Sequence, residues 1–88
     1  MKTEFLRHFE KDIDKLSQIT IRINVSDAVL NVEKAKKISE IKGLKKLAGF
    51  KNVFRIKIGD YRIGLFIEND VVEFARVVHR KDIYKVFP

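Results

Sequence analysis

Lys51-Asn52-Val53-Phe54-Arg55-Ile56-Lys57-Ile58-Gly59-Asp60-Tyr61-Arg62 alternates apolar with cationic side chains and then reaches a glycine–aspartate pair. Side chains of a β-strand point to opposite faces in turn, so Phe54, Ile56 and Ile58 share one face and Arg55 and Lys57 the other. Gly59-Asp60 suits a two-residue hairpin turn, which sends the chain back through Tyr61 and sets Arg62 alongside the first two cations. Like charges on a half-buried strand repel one another and gain nothing from packing. An anion held between them accounts for their placement, and a phosphodiester has the required charge and shape.

The pattern continues outward from this hairpin. Strands are expected at about 53–58, 61–68 and 71–78, the last two joined by Asn69-Asp70, a second dipeptide that tolerates positive φ. They form an antiparallel meander. Upstream, a short strand over about Lys2 to Leu6 leads into a helix in which Phe9, Ile13 and Leu16 keep helical spacing. The next segment reads two ways. Ile19, Ile21, Ile23 and Val25 alternate as in a strand, whereas Ile21, Val25, Ala28, Val32 and Ala35 form a helical stripe. The residues from 28 to 37 favour helix by propensity, which sets a helix from about Gln18 to Lys37. Lys42 to Lys51 reads as a basic connector punctuated by Gly43 and Gly49, with Leu44 and Leu47 as packing anchors, and Arg80 to Lys85 as a final short turn. The class is α+β: an N-terminal strand, two helices packed on a small antiparallel sheet, a three-stranded meander and a C-terminal turn. Phe5, Phe9, Phe50, Phe54, Phe66 and Phe74 are expected in the core, and Tyr61 packs with Ile63, Leu65 and Ile67.

Eighty-eight residues, 45% of them hydrophobic, suffice for a single domain over 1–88 with one core. Cysteine is absent, so disulfides and thiolate metal sites are excluded and a reducing cytoplasm is the expected compartment. No apolar run approaches the roughly 20 residues that span a bilayer, and charge interrupts the first residues too early for a signal peptide. The net charge of +7 is concentrated: residues 34–62 hold ten Lys and Arg against Glu40 and Asp60, a balance of +8, and all other residues together come to −1. Such a field steers a polyanion and releases its counterions on contact. For Lys34, Lys36, Lys37, Lys42, Lys45 and Lys46 a solvated helix face is an equal alternative; for Arg55, Lys57 and Arg62 it is the weaker one.

The chemistry available is narrow. His8 and His79 lie in no ligand motif, glycine-rich phosphate loops are missing, and Ser17, Ser26 and Ser39 occupy no nucleophile elbow. Neither a metal nor a cofactor is expected. A set of Arg, Lys and Tyr on a sheet is nevertheless enough to cleave RNA, because RNA carries its own nucleophile in the 2′-hydroxyl. The reaction needs a proton acceptor, neutralisation of the phosphorane and a proton for the departing 5′-oxygen. Arginine serves the second need and is a poor base. Lysine serves as a base where neighbouring cations and partial desolvation favour its neutral form, and Lys57 lies between Arg55 and Arg62. Tyr84 is suited to stack on a splayed nucleotide, or else to cap the small core. His79 is a candidate general acid or base, though a histidine at a strand end is more often merely a surface residue.

The hairpin Phe54-Arg-Ile-Lys-Ile-Gly-Asp-Tyr-Arg62, its approach Leu47-Ala-Gly-Phe50 and the closing run His79-Arg-Lys-Asp-Ile-Tyr84 together resemble the RelE/ParE superfamily of type II toxin–antitoxin systems, and more closely the RelE-like ribosome-dependent mRNA endoribonucleases. The resemblance spans essentially the whole chain. It implies that Arg55 and Lys57 match the basic strand residues required for cleavage and that Arg62 holds the scissile phosphate. It further implies that Arg80 protonates or neutralises the leaving oxygen and that Tyr84 stacks on an mRNA base. Arg55 stands where the best-known RelE pattern has lysine, and the spacing from Arg80 to Tyr84 is shorter than in that pattern. The candidate RNA contacts outside this set are Lys42, Lys45, Lys46 and Lys51 of the connector, with His79 and Lys81 of the closing run. The implied partners are a cognate antitoxin, the ribosome and mRNA, with DNA reached only through the antitoxin. Two other functions stay open: a ParE-like inhibitor of DNA gyrase on the same scaffold, and a non-catalytic RNA-binding module.

Overall fold

In a computed structural model describing residues 1–88, the chain runs β1 (Lys2–Phe5), α1 (Arg7–Lys15), α2 (Ile19–Lys34), a single 3-10 turn at Ile38–Glu40, β2 (Leu44–Lys46), β3 (Val53–Ile58), β4 (Tyr61–Glu68), β5 (Val71–His79) and α3 (Ile83–Val86). The meander β3–β4–β5 is antiparallel throughout, and both expected hairpins close it. Asn69 and Asp70 both take positive φ (53° and 63°), as a type I′ turn requires. At the first hairpin Gly59 has φ 54°, and Asp60 is not among the positive-φ residues.

The sheet is larger than the meander and is mixed. Its order is β1-β5-β4-β3-β2, with β1 parallel to β5 and β2 antiparallel to β3. Leu44–Lys46, read above as part of a connector, is thus an edge strand. Three residues are too few to display a period of two, so only the pairing reveals it.

The ambiguous segment is helical. Val25, Val32 and Ala35 are buried, Ile21 and Ala28 pack against the same core, and Ile19 and Ile23 of the competing alternation are exposed. The helix ends at Lys34, three residues earlier than propensity suggests. Its last carbonyls are capped from afar: the Met1 ammonium donates to the carbonyl oxygens of Val32, Glu33 and Ala35. Arg22 of α2 does the same for α1, its Nη1 donating to the carbonyls of Ile13 (2.9 Å) and Leu16 (3.0 Å).

One sheet face carries α1 and α2 over Phe54, Ile56, Ile58, Ile63, Leu65, Val72, Phe74 and Val77. The other carries α3, with Val53, Ala75, Ile83 and Phe87 buried and Leu47, Phe66 and Val78 packed around them. Phe74 and Val77 share the first face although they are three positions apart. Gly64 pairs with Arg76 and Leu65 with Phe74, so Ala75 is left over as a β-bulge that restores the register. Phe9, Phe54 and Phe74 are in the core as expected, and Phe66 is half-buried. Phe5 and Phe50 are 43% and 48% exposed, a correction to the core assignment. Phe5 sits on an edge strand and stacks on Phe9 and Phe74 at 5.8 and 5.4 Å; Phe50 lies in the loop after β2. No helix is long and apolar enough to cross a membrane.

Candidate nucleic-acid interface

Antiparallel partners directly opposite one another project to the same side of a sheet. Arg55 faces Lys45 on β2 and Gly64 on β4, and Lys57 faces Arg62. Arg55 is two residues from Lys57 along β3, so Lys45, Arg55, Lys57 and Arg62 share one face. It is the face bearing α3, because Val53 and Phe66 hold the same parity and pack beneath that helix. Two cross-strand pairs, Lys45–Arg55 and Lys57–Arg62, are therefore like-charged, an arrangement that costs stability unless an anion lies between the charges.

Arg55 and Arg62 are held by backbone carbonyls, not by carboxylates. Arg62, half-buried, donates from Nη1 to the carbonyl of Gly59 (2.7 Å) and to that of Tyr61 (2.9 Å), which leaves Nε and Nη2 without a protein acceptor. The turn thus orients a guanidinium edge without neutralising it. Arg55 is likewise half-buried, its Nη1 3.3 Å from the carbonyl of Gly43, which also accepts from the Lys57 backbone N–H at 3.3 Å. Gly43 has φ 73°, a backbone state open to glycine at little cost, and this aims its carbonyl at β3. Lys57 is exposed, so the fold alone does not desolvate it. It lines a shallow cleft with Lys42, Asn24, Asp27 and Asn31.

Arg80 joins the group at the hairpin. Its backbone N–H donates to the carbonyl of Asp60 (2.7 Å), and its Nε lies 3.7 Å from Asp60 Oδ1. Both side chains are largely exposed, so the ion pair is weak and easily exchanged. Tyr84 is 63% exposed on α3 and lines a cleft with Phe87. Phe87 in turn rests on Gly64, the cross-strand neighbour of Arg55: a Cβ at Gly64 would fall 2.6 Å from the phenyl ring. Sequence reasoning did not detect this contact, since glycine inside a strand reads only as a weak point.

Three of the expected contacts lie apart from this face. His79 pairs with Tyr61, whose parity is that of the helical face, and the two rings meet edge-on at 5.6 Å. His79 Nδ1 accepts from the Lys81 backbone N–H at 3.1 Å. Lys46 faces Phe54 and so holds the parity opposite to Lys45. Lys42 is tied towards α2 by its backbone N–H, which donates to Asn31 Oδ1 (3.0 Å). Lys51 and Lys81 are exposed, Lys51 lining the hollow of the 46–51 loop.

The chain matches the family model described as ParE toxin of type II toxin–antitoxin system, parDE, over residues 3–84. It is 35% identical to Toxin RelE3 of Methanocaldococcus jannaschii over 89 residues, covering all of both chains. Its fold superposes on the RelB-RelE antitoxin–toxin complex from Methanococcus jannaschii with a TM-score of 0.81 at 32% identity, covering 97% of this chain and 99% of that one. It also superposes on the intact E. coli RelBE toxin–antitoxin complex with a TM-score of 0.70 at 22% identity, covering 89% and 94%, a likeness of fold alone. Family match, full-length identity and fold agree, and the chain belongs to the RelE/ParE family of toxins of type II toxin–antitoxin systems.

Proposed function

We propose that this chain, as one cytoplasmic domain, is a ribosome-dependent endoribonuclease that cleaves mRNA in the ribosomal A site and so arrests translation. The observation that carries the reading is the pair of like-charged cross-strand neighbours, Lys45–Arg55 and Lys57–Arg62, on one sheet face beside α3. In the reaction the 2′-oxygen attacks the adjacent phosphorus, its proton passes to a base, and the P–O5′ bond breaks with a proton delivered to the 5′-oxygen. The free guanidinium edge of Arg62 takes the charge that builds on the phosphorane. Lys57 accepts the 2′-hydroxyl proton, its desolvation coming from the RNA and ribosome that close over it. Arg80 neutralises or protonates the leaving oxygen, Arg55 and Lys45 hold the flanking backbone, and Tyr84 stacks on a base. The ribosome supplies the orientation that a small open face does not.

A cognate antitoxin is the second partner, in keeping with the RelB-RelE complexes to which the fold is similar. A small protein with an acidic amphipathic helix would complement the +8 segment. Arg62→Ala is expected to lower A-site cleavage by at least about a hundredfold, the scale of losing one donor to a developing oxyanion, with an unchanged circular dichroism spectrum. Primer extension on ribosome-bound mRNA measures it, and cleavage at the normal rate would remove the assignment. The matched family model carries the ParE description, which favours gyrase inhibition as the second reading. Intact transcripts with a DNA-damage response on expression would establish that reading instead.

A further inference from the structure

Phe50 has no place in the core, yet it is not left loose. Leu47 is anchored by its N–H to the carbonyl of Val53 (2.9 Å) and by packing beneath α3. Gly49, at φ 83°, turns the chain, and the Phe50 N–H returns to the carbonyl of Leu47 (3.4 Å). A short, hydrogen-bonded turn thus presents an aromatic ring that is 48% exposed. Phe50 and Tyr84, from separate elements, line one cleft of about 420 Å³ with Leu47, Ala48, Phe87 and Pro88. Beyond Phe50 the hollow of the 46–51 loop carries Lys46 and Lys51, both exposed.

Resting on the RNA-cleavage reading, we propose that Phe50 and Tyr84 form a slot for a single unpaired nucleobase of the RNA, with Phe50 a specificity-determining residue of the site. The occupant follows from charge and shape together. An aromatic cleft with an ammonium group beside it in the chain suits a flat base on an anionic backbone: the base is taken up by stacking and its phosphate by Lys51. An apolar peptide side chain would use the rings but leave Lys51 without a partner, and an acidic helix would pair Lys51 but offers no flat group to fill the slot. Stacking accepts any base and favours those with larger π-faces, so the slot discriminates purine from pyrimidine more than one purine from another.

The test uses the full chain and two short single-stranded RNAs, one with a 2-aminopurine base and the other abasic at that position, both 2′-deoxy at the cleavable link. The base-bearing RNA is expected to bind about tenfold tighter and to lose fluorescence on binding. Phe50→Ala should cut that tenfold preference severalfold, Tyr84 still stacking, without changing affinity for the abasic RNA, and Phe50→Tyr should restore it. An equal loss on both RNAs, or no loss, would overturn the slot while leaving cleavage by the Arg62 face intact. Failure of the unsubstituted chain to bind either RNA would overturn the slot, and its failure to cleave ribosome-bound mRNA would overturn the parent reading as well. Weaker binding of Phe50→Ala to the antitoxin, with RNA preference unchanged, would assign the cleft to protein recognition and likewise end the proposal.

Discussion

Asp12 is the charged residue of the core, 5% exposed, and one carboxylate there meets three donors. Arg76 Nε and Nη2 bind it at 2.8 and 3.1 Å, and the backbone N–H of Val77 donates at 3.0 Å. The hydrogen bonding that Arg76 donates to Asp12 raises its pKa above the ordinary arginine value, against a smaller opposing effect of burial, with the ion-pair attraction adding to the rise. A raised value means that the contribution to stability is complete below the unfolded arginine's pKa and is lost only as pH climbs through the folded one. That window lies above any ordinary melting buffer, so the guanidinium introduces no pH dependence near neutrality. Arg76→Ala leaves the carboxylate buried with one backbone donor. It is expected to cost about 3 kcal/mol and to lower Tm by roughly 15 °C. The double variant Asp12→Ala with Arg76→Ala should recover part of the loss in thermal melts, because the stranded charge is gone. A double variant no more stable than Arg76→Ala would show that packing, not the stranded charge, causes the loss. The pair was invisible in sequence. Asp12 sits between Phe9 and Ile13 on a helix whose other acids are solvated, and its partner is 64 residues away at a bulge that no local pattern announces.

At the scale of elements, α3 is held to the sheet by Phe87 over Gly64, a seat that admits no side chain. Gly64→Ala is expected to lift the ring and loosen the last turn, displacing Tyr84 from the cleft and lowering cleavage, at a cost of about 2 kcal/mol for the lost burial of one phenyl group. Hydrogen exchange should rise over 80–88 while the β4 and β5 amides stay protected. Adding Gly64→Ala to Phe87→Ala should then change nothing further, and an additive loss would mean that Gly64 serves the strand itself. Elements with a strong period were legible beforehand. The β3–β4 hairpin follows from Phe54, Ile56 and Ile58 against Arg55 and Lys57, whereas the helix at Ile19–Lys34 carries two competing periods and was legible from the propensity of residues 28–37. The strand Leu44–Lys46 was not, because its three residues owe their state to pairing with β3. The cations of the site were legible as residue types and as a face. Their anchoring to the carbonyls of Gly59, Tyr61 and Gly43 was not, since backbone acceptors leave no trace in composition.

Across the whole molecule the charge is polar along β4. Lys57, Arg62 and Arg80 gather at the Gly59–Asp60 turn, while Glu4, Glu68 and Glu73 line a hollow at the Asn69–Asp70 end, with Glu4 directly opposite Glu73 on the neighbouring strand. A polyanion approaching this field is drawn to one end of the sheet and turned away from the other, before any side chain touches it. Binding should then follow counterion release. Each single-strand phosphate neutralised adds about 0.7 to the slope of log K against log salt, so engagement of Lys45, Arg55, Lys57 and Arg62 predicts a slope near −3 for a short single-stranded RNA. Lys45→Ala removes a phosphate contact without touching Arg62, and it should make that slope shallower by about 0.7. Glu73→Gln removes a charge of the opposite sign at the far end. It is expected to raise affinity slightly at low salt through the long-range field and to leave the slope unchanged, because no counterion is exchanged there. Affinity titrations over a range of potassium chloride concentrations measure both. A slope unmoved by Lys45→Ala would place the RNA backbone off the β2–β3 edge, and a slope altered by Glu73→Gln would mean that the strand runs the length of the sheet instead of stopping at its basic end.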